Sequence, residues 1–284
     1  MSFTLKLKEK EKVNKFTVLF KYLKNVCPDV MANINEDGFH IQGLCSAHVL
    51  LFELDLSKEW FDEYDTTFVT QVNLGLNCEI LSNIISCVSD GQLLSFEYSE
   101  RNLDKLTISM ENNNNNTNTL EKSFEVSLMD MDVDPLEVPY METDIEINIL
   151  SSNFEGIINQ LIKFGSDVKF NCNNDGMVLE SMGDCNTMKV KIKEDDIETY
   201  AIVEDLEYNS TYALKYLKYV SDFSKLNGSL DIHFIVDNPA LFIYDLNIKD
   251  WKDDDEIEED DEGDDENKSV KKNTIKFYLA PKMD

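Results

Sequence analysis

NEDGFHIQGL, the stretch Asn35–Leu44, returns later in the chain as NNDGMVLESM, the stretch Asn173–Met182. In both copies a D-G dipeptide precedes alternating apolar residues, a pattern typical of a tight turn that leads into a half-buried β-strand. The two glycines, Gly38 and Gly176, stand 138 positions apart. One turn alone predicts a hairpin, whereas a repeated turn suggests that the surrounding sequence repeats as well.

The same offset of 138 relates two apolar stripes that precede the turns. Within each stripe the residues are spaced i, i+3, i+4 and i+7, which predicts one face of an amphipathic helix. The offset also relates Asp29 to Asp167, just beyond the stripes. We infer an internal duplication that produces two domains, each able to bury its own core. The stripes are Phe16, Leu19, Phe20 and Leu23 in the first copy and Phe154, Ile157, Ile158 and Leu161 in the second.

Each half contains a second stripe with helical spacing, and most of the remaining segments alternate as strands do. Two helices per domain, grouped on one face of antiparallel sheets, predict an α+β fold. The predicted domains are 1–127 and 145–284, joined by an acidic connector at 128–144 that two prolines interrupt. The second stripes are Leu81, Ile84, Ile85 and Val88, and Ala213, Tyr216, Leu217 and Val220.

The chain carries a formal net charge of −30, which would repel a polyanion if it were spread evenly. It is not spread evenly, because the run Asp250–Glu266 contains thirteen acidic residues and one lysine. Like charges and low hydrophobicity predict that this run is a disordered insertion, at about 250–272, between two strands. The asparagine-rich stretch from Glu111 predicts a polar loop.

Few features of the sequence indicate catalysis. Nucleotide-binding, zinc-protease and serine-hydrolase motifs are missing, and the six cysteines include no C-x-x-C pair. We therefore predict reduced intracellular thiols, no cofactor, no metal and no enzymatic activity. A metal-dependent nuclease built on pairs such as Asp130 and Asp132 remains an alternative, although such pairs arise freely among 56 acidic residues. No apolar stretch predicts secretion or membrane spanning.

Lysines accompany the predicted helices in both halves. Lys21 and Lys24 share the first helix, Lys215 and Lys218 share the last, and Lys163 follows the third. Lysines on helices are usually solvated and make no specific contact. If the duplicated helices face one surface, however, their lysines collect there, and a polyanion could be bound on that surface alone.

Three segments resemble the proliferating cell nuclear antigen family of eukaryotic-type DNA sliding clamps. LMDMDVDPLEVP at 128–139 resembles the interdomain connector, GFHIQGLCSAHVLLFEL at 38–54 resembles a strand and loop with the pattern S-x-H-V, and FYLAPK at 277–282 resembles the C-terminal segment. The resemblance extends from about Lys15 to Lys282. It implies a homotrimeric ring with sheets outside and helices lining a hole for duplex DNA, which tethers proteins without catalysis.

The resemblance also implies two sets of site residues. A DNA-facing channel and a hydrophobic pocket for short peptides with aromatic and aliphatic residues are expected, with DNA polymerase, clamp loader, ligase and flap nuclease as partners. The asparagine run suggests an AT-rich genome, such as that of a protist or a large DNA virus. The expected location is the nucleus, or a cytoplasmic replication site if the protein is viral. The channel residues are Lys15, Lys21, Lys24, Lys163, Lys215, Lys218 and Lys225; the pocket residues are Leu44, His48, Val49, Leu136, Val138, Pro239, Tyr278, Leu279, Ala280 and Pro281.

The sequence departs from the family pattern at several positions. Glu79 and Ser82 stand where lysines align, and Asn159 stands where an arginine is common, so the expected channel is less positive than usual. Asn174 replaces the lysine that the eukaryotic family modifies with ubiquitin, which predicts that this regulation is absent. These differences leave open a clamp-like paralogue, either a checkpoint-type subunit of a hetero-ring or a protein that does not encircle DNA.

Overall fold

The computed structural model describes residues 2–66, 71–99, 102–112, 119–131, 136–139, 141–193, 197–248 and 273–282. The predicted acidic insertion, the asparagine run at 113–118 and Asp132 lie outside these ranges. Within them, each half of the chain contains two α-helices, as predicted, although α2 ends before Val88, and Ala213 is the N-cap of α4. The helices are α1 Lys10–Val26, α2 Cys78–Ile85, α3 Ser151–Leu161 and α4 Leu214–Ser221, the last followed by a 3-10 turn at Asp222–Lys225.

The strands of the described residues form three antiparallel sheets. Their orders are β5-β1-β7-β8-β9, β13-β12-β11-β15 and β14-β10-β16-β17-β18-β4-β3-β2-β6. The strands are β1 Ser2–Leu7, β2 Asp29–Asn35, β3 Gly38–Leu44, β4 Leu50–Ser57, β5 Glu63–Thr66, β6 Gln71–Asn77, β7 Gln92–Ser99, β8 Lys105–Asn112, β9 Lys122–Ser127, β10 Ile145–Leu150, β11 Asp167–Asn173, β12 Gly176–Met182, β13 Thr187–Lys193, β14 Thr199–Ile202, β15 Tyr208–Ala213, β16 Ser229–Phe234, β17 Ala240–Asp245 and β18 Thr274–Leu279.

The strand orders confirm the duplication. The order β5-β1-β7-β8-β9 in the first half corresponds to β14-β10-β16-β17-β18 in the second, and β6-β2-β3-β4 corresponds to β15-β11-β12-β13. The nine-stranded sheet joins the two halves where β18 pairs with β4, with Phe277 opposite Phe52. The counterparts of these two strands, β9 and β13, are the outermost strands of their own sheets within the described part of the chain.

The predicted helix stripes supply much of the core. Eleven of their sixteen residues are buried, and the other five are partly buried: Ile84, Val88, Ile157, Ala213 and Tyr216. Aromatic rings connect helices to sheets. The ring centres of Phe16 and Phe96 lie 5.2 Å apart, and those of Phe154 and Phe242 lie 5.9 Å apart. Burial alternates along strands such as β1 and β16, which places one face of the sheet against the helices, as expected for α+β packing.

Each repeated turn is held by a tyrosine that the repeated sequence pattern does not include. The Tyr64 hydroxyl lies 2.6 Å from the carbonyl oxygen of Asn35 and 2.7 Å from that of Gly38. In the second copy, the Tyr200 hydroxyl lies 2.8 Å from Asn173 O and 3.0 Å from Gly176 O. A hydroxyl has one hydrogen, so it donates to the two carbonyls in turn or shares the proton between them. Each tyrosine thereby connects a turn to a neighbouring sheet.

Candidate functional sites: the helix surface and the connector

The lysine-bearing helices of the two halves meet. α1 contacts α4 and its 3-10 turn, and the Tyr22 and Phe223 rings lie 5.7 Å apart at this joint. The ammonium group of Lys21 lies 5.1 Å from the Tyr22 ring centre, and that of Lys215 lies 5.6 Å from the Tyr216 ring centre. These cation–π contacts orient the two lysine side chains, which nevertheless remain exposed to solvent.

The remaining predicted channel lysines differ in their surroundings. Lys225 and Lys163 are exposed, and Lys24 is half-buried. Lys218 forms an ion pair with Asp222 on the next turn, which neutralises part of its charge. The structure brings the lysines of α1 and α4 to neighbouring elements, whereas Lys163 belongs to the turn after α3.

Lys15 does not belong to an open surface, contrary to the expectation from the resemblance. Its side chain is buried, and its ammonium group donates to the carbonyl oxygens of Leu246 at 3.3 Å and Asn247 at 2.9 Å. It also lies 3.5 Å from a carboxylate oxygen of Glu11. The residue connects α1 to the end of β17, so its charge serves the contact between the two halves of the chain.

The connector crosses the outer face of the nine-stranded sheet at Leu136, whose side chain is half exposed. The side-chain amide of Gln42 on β3 accepts from the Leu136 N–H at 2.7 Å and donates to the Leu136 carbonyl at 2.7 Å. The same amide donates to Glu53 on β4 at 2.9 Å, and the Tyr278 hydroxyl on β18 donates to the other Glu53 oxygen at 3.0 Å. Burial, with a contribution from Glu53, raises the pKa of Tyr278, which keeps this hydroxyl protonated at neutral pH.

The C-terminal segment lies beside the loop between β3 and β4. The Ala280 N–H donates to the Val49 carbonyl at 2.9 Å, and the Lys282 N–H donates to the Thr211 carbonyl at 2.8 Å. His48 is exposed on this loop and adopts a left-handed backbone conformation with φ of 58°. The predicted pocket residues that are partly buried are Leu44, Val49, Val138, Pro239, Tyr278, Ala280 and Pro281.

Leu279 was expected to line the pocket, and this expectation is wrong. Its side chain is 1% exposed, because side chains alternate along β18 and Tyr278 takes the outward position. Sequence reasoning also missed Gly75, where a Cβ atom would lie 2.2 Å from the Met129 carbonyl oxygen at the start of the connector. A glycine inside an alternating strand is itself a signal of such close backbone approach.

The part of the chain that the structure describes contains no group of three or more histidine, cysteine, aspartate or glutamate residues placed to hold a metal ion. Asp130, one of the carboxylates considered for a nuclease, is exposed, and its neighbour Asp132 is outside the described ranges. Among the described helices, none has the length and apolar character needed to cross a membrane.

The repeated fold with its connector is that of a DNA sliding clamp. A family model described as proliferating cell nuclear antigen, N-terminal domain, matches residues 3–135, and the corresponding C-terminal domain model matches residues 137–252. The chain therefore belongs to the proliferating cell nuclear antigen family. Members of this family are non-enzymatic scaffolds that act as processivity factors in DNA replication and repair, and nuclear homotrimers are typical of them.

Proposed function

We propose that this protein is a sliding clamp that closes into a homotrimeric ring, encircles duplex DNA without reading its sequence, and tethers replication and repair proteins. The observation that carries the proposal is the junction between β18 and β4 inside one chain. Their counterparts, β9 and β13, are outermost strands of the described sheets, so each can make the same kind of junction with another copy. A repeated head-to-tail contact closes a ring when its rotation permits.

The internal junction also gives a register for the contact between subunits. Phe277 stands opposite Phe52, and the corresponding pair across subunits is Phe124 on β9 opposite Met188 on β13. On the exposed side, the same register places Glu121 opposite Lys191. The apolar pair would lie on the core side of the paired strands, and the oppositely charged pair would lie on the solvent side. Such cross-strand pairs stabilise paired strands.

DNA would be held weakly and by topology. Lys21, Lys24, Lys215 and Lys225 supply phosphate contacts that depend on salt, and such contacts carry no sequence information. A separate clamp-loading ATPase is needed to open the ring, and polymerase, ligase and flap nuclease are the proposed clients. Their peptides would bind in the groove between the connector and the C-terminal segment.

The oligomeric mass tests the proposal directly. Light scattering should give three times the chain mass of 32.7 kDa at micromolar concentration. Phe124→Asp should leave a folded monomer because it introduces a charge into the apolar side of the junction, whereas the matched variant Phe124→Leu should remain trimeric. A parent protein that is a monomer or a symmetric dimer at every concentration would contradict the ring.

A second candidate is a clamp-like paralogue that does not encircle DNA, and the exposed Glu79 on α2 favours it. The two candidate functions differ in whether the protein encircles the DNA. A loaded ring stays on a closed circular duplex and slides off after the circle is cut, whereas a protein bound only to the surface responds to salt and not to cutting.

A further inference from the structure

The polar contacts around Leu136 form one continuous network on the outer face of the nine-stranded sheet. It runs from the Leu136 backbone to the Gln42 amide, then to the Glu53 carboxylate and the Tyr278 hydroxyl, with distances of 2.7–3.0 Å. The network joins the connector to three adjacent strands, β3, β4 and β18. It thereby links Leu136 on the connector to Tyr278, which precedes the C-terminal segment, and these two segments bound the proposed peptide-binding groove.

We propose that Gln42 and Glu53 are positioning residues that hold the connector at a set distance from the C-terminal segment and so pre-form the peptide groove. The inference rests on the proposed peptide-binding function. Neither residue needs to touch the peptide, because both act through the connector backbone and Tyr278.

The chemistry of the two side chains suits this role. A primary amide both donates and accepts, so Gln42 pairs with the N–H and the carbonyl of Leu136 as a neighbouring strand would. Glu53 offers two oxygens and takes one donor on each, from Gln42 and from Tyr278. Hydrogen bonds to an ionised carboxylate are stronger than those between neutral groups, which favours one arrangement of the network.

Holding the connector matters because a loose connector must be ordered when a peptide binds. That ordering opposes binding, and a groove that is already formed avoids it. Leu136 is half exposed, so the connector receives limited help from burial of this side chain. Loss of the amide contacts should therefore weaken peptide binding without removing any group that the peptide contacts.

The test compares Gln42→Ala with Asn33→Ala. Asn33 is the matched control, because its amide bonds to Asn73 at 2.9 Å on the same sheet and does not involve the connector. The probe is a fluorescein-labelled peptide with one aliphatic and two aromatic residues. Fluorescence anisotropy measures its affinity, and hydrogen exchange of the Leu136 amide by NMR reports on the connector with no peptide present.

We expect Gln42→Ala to speed exchange of the Leu136 amide and to weaken peptide binding by about tenfold, with the trimer retained. Glu53→Gln, which keeps the size but provides only one oxygen, should give a smaller change in the same direction, and Asn33→Ala should change neither quantity. Faster exchange with unchanged affinity would overturn the positioning role, and so would unchanged exchange. A parent protein that fails to bind the probe would instead overturn the peptide-binding function, because exchange at Leu136 reports on the network separately.

Discussion

The second helices of the two halves, α2 and α4, occupy equivalent places and carry opposite charges. Asp29 pairs with Asn77, the residue before α2, and its counterpart Asp167 pairs with Ala213, the residue before α4. Glu79 on α2 therefore corresponds to Lys215 on α4. Both helices bury an apolar stripe, with Leu81 corresponding to Leu217. The comparison teaches that the duplicated core has been preserved while the helix surfaces diverged, which concentrates positive charge where α1 meets α4.

The largest expected effect comes from removing that charge. Replacing Lys21, Lys24 and Lys215 by glutamate should abolish loading or processive sliding, because repulsion replaces the weak phosphate attraction. The loss is measured by comparing how strongly the triple variant and the parent protein stimulate polymerase processivity at physiological salt.

The control changes net charge equally at three lysines away from the helix surface. Lys58, Lys105 and Lys169, which lie on the turn after β4 and on the strands β8 and β11, should tolerate the same replacement with far less loss. Equal losses for the two triple variants would show that net charge, and not the helix surface, matters.

The turns allow a second comparison between the halves. Gly38 has φ of +159°, and a Cβ atom there would lie 2.2 Å from the Leu56 carbonyl oxygen. We expect Gly38→Ala to lower the free energy of unfolding by about 3 kcal/mol, from strain and backbone overlap. Gly176, with φ of +125°, should also be sensitive. Gly228→Ala is the control, because its Cβ would meet nothing within 4 Å, and urea unfolding measures all three.

The two tyrosines provide the next smaller effect. Tyr64→Phe and Tyr200→Phe should each lower the free energy of unfolding by about 1 kcal/mol, because the ring remains and only the donated hydrogen bond is lost. The changes should be similar, since the geometry of the two turns is similar. A loss at one site and none at the other would show that the halves do not share this contact equally.

Sequence periodicity was sufficient for the helices, the turns and the duplication, because these depend on local spacing. It failed where a contact joins distant segments: burial of Lys15 depends on carbonyls more than two hundred residues away. Tyr64 and Tyr200 escaped detection because they are 136 positions apart and not 138. The difference arises because the hairpin of β12 and β13 is two residues shorter than that of β3 and β4. Gly176 pairs with Lys193, 17 positions later, whereas Gly38 pairs with Ser57, 19 positions later.

The smallest expected effect comes from making α2 resemble α4. Glu79→Lys replaces an exposed acid by the residue type found at the equivalent position, so adsorption to DNA should strengthen modestly at low salt. If the new lysine contacts a phosphate, the plot of log affinity against log salt should steepen by about one unit for each such contact. Glu59→Lys is the matched control, because it makes the same charge change at an exposed position on the 3-10 turn after β4. Equal steepening by the two variants would show that DNA senses total charge, whereas steepening by Glu79→Lys alone would show that DNA lies against the helices.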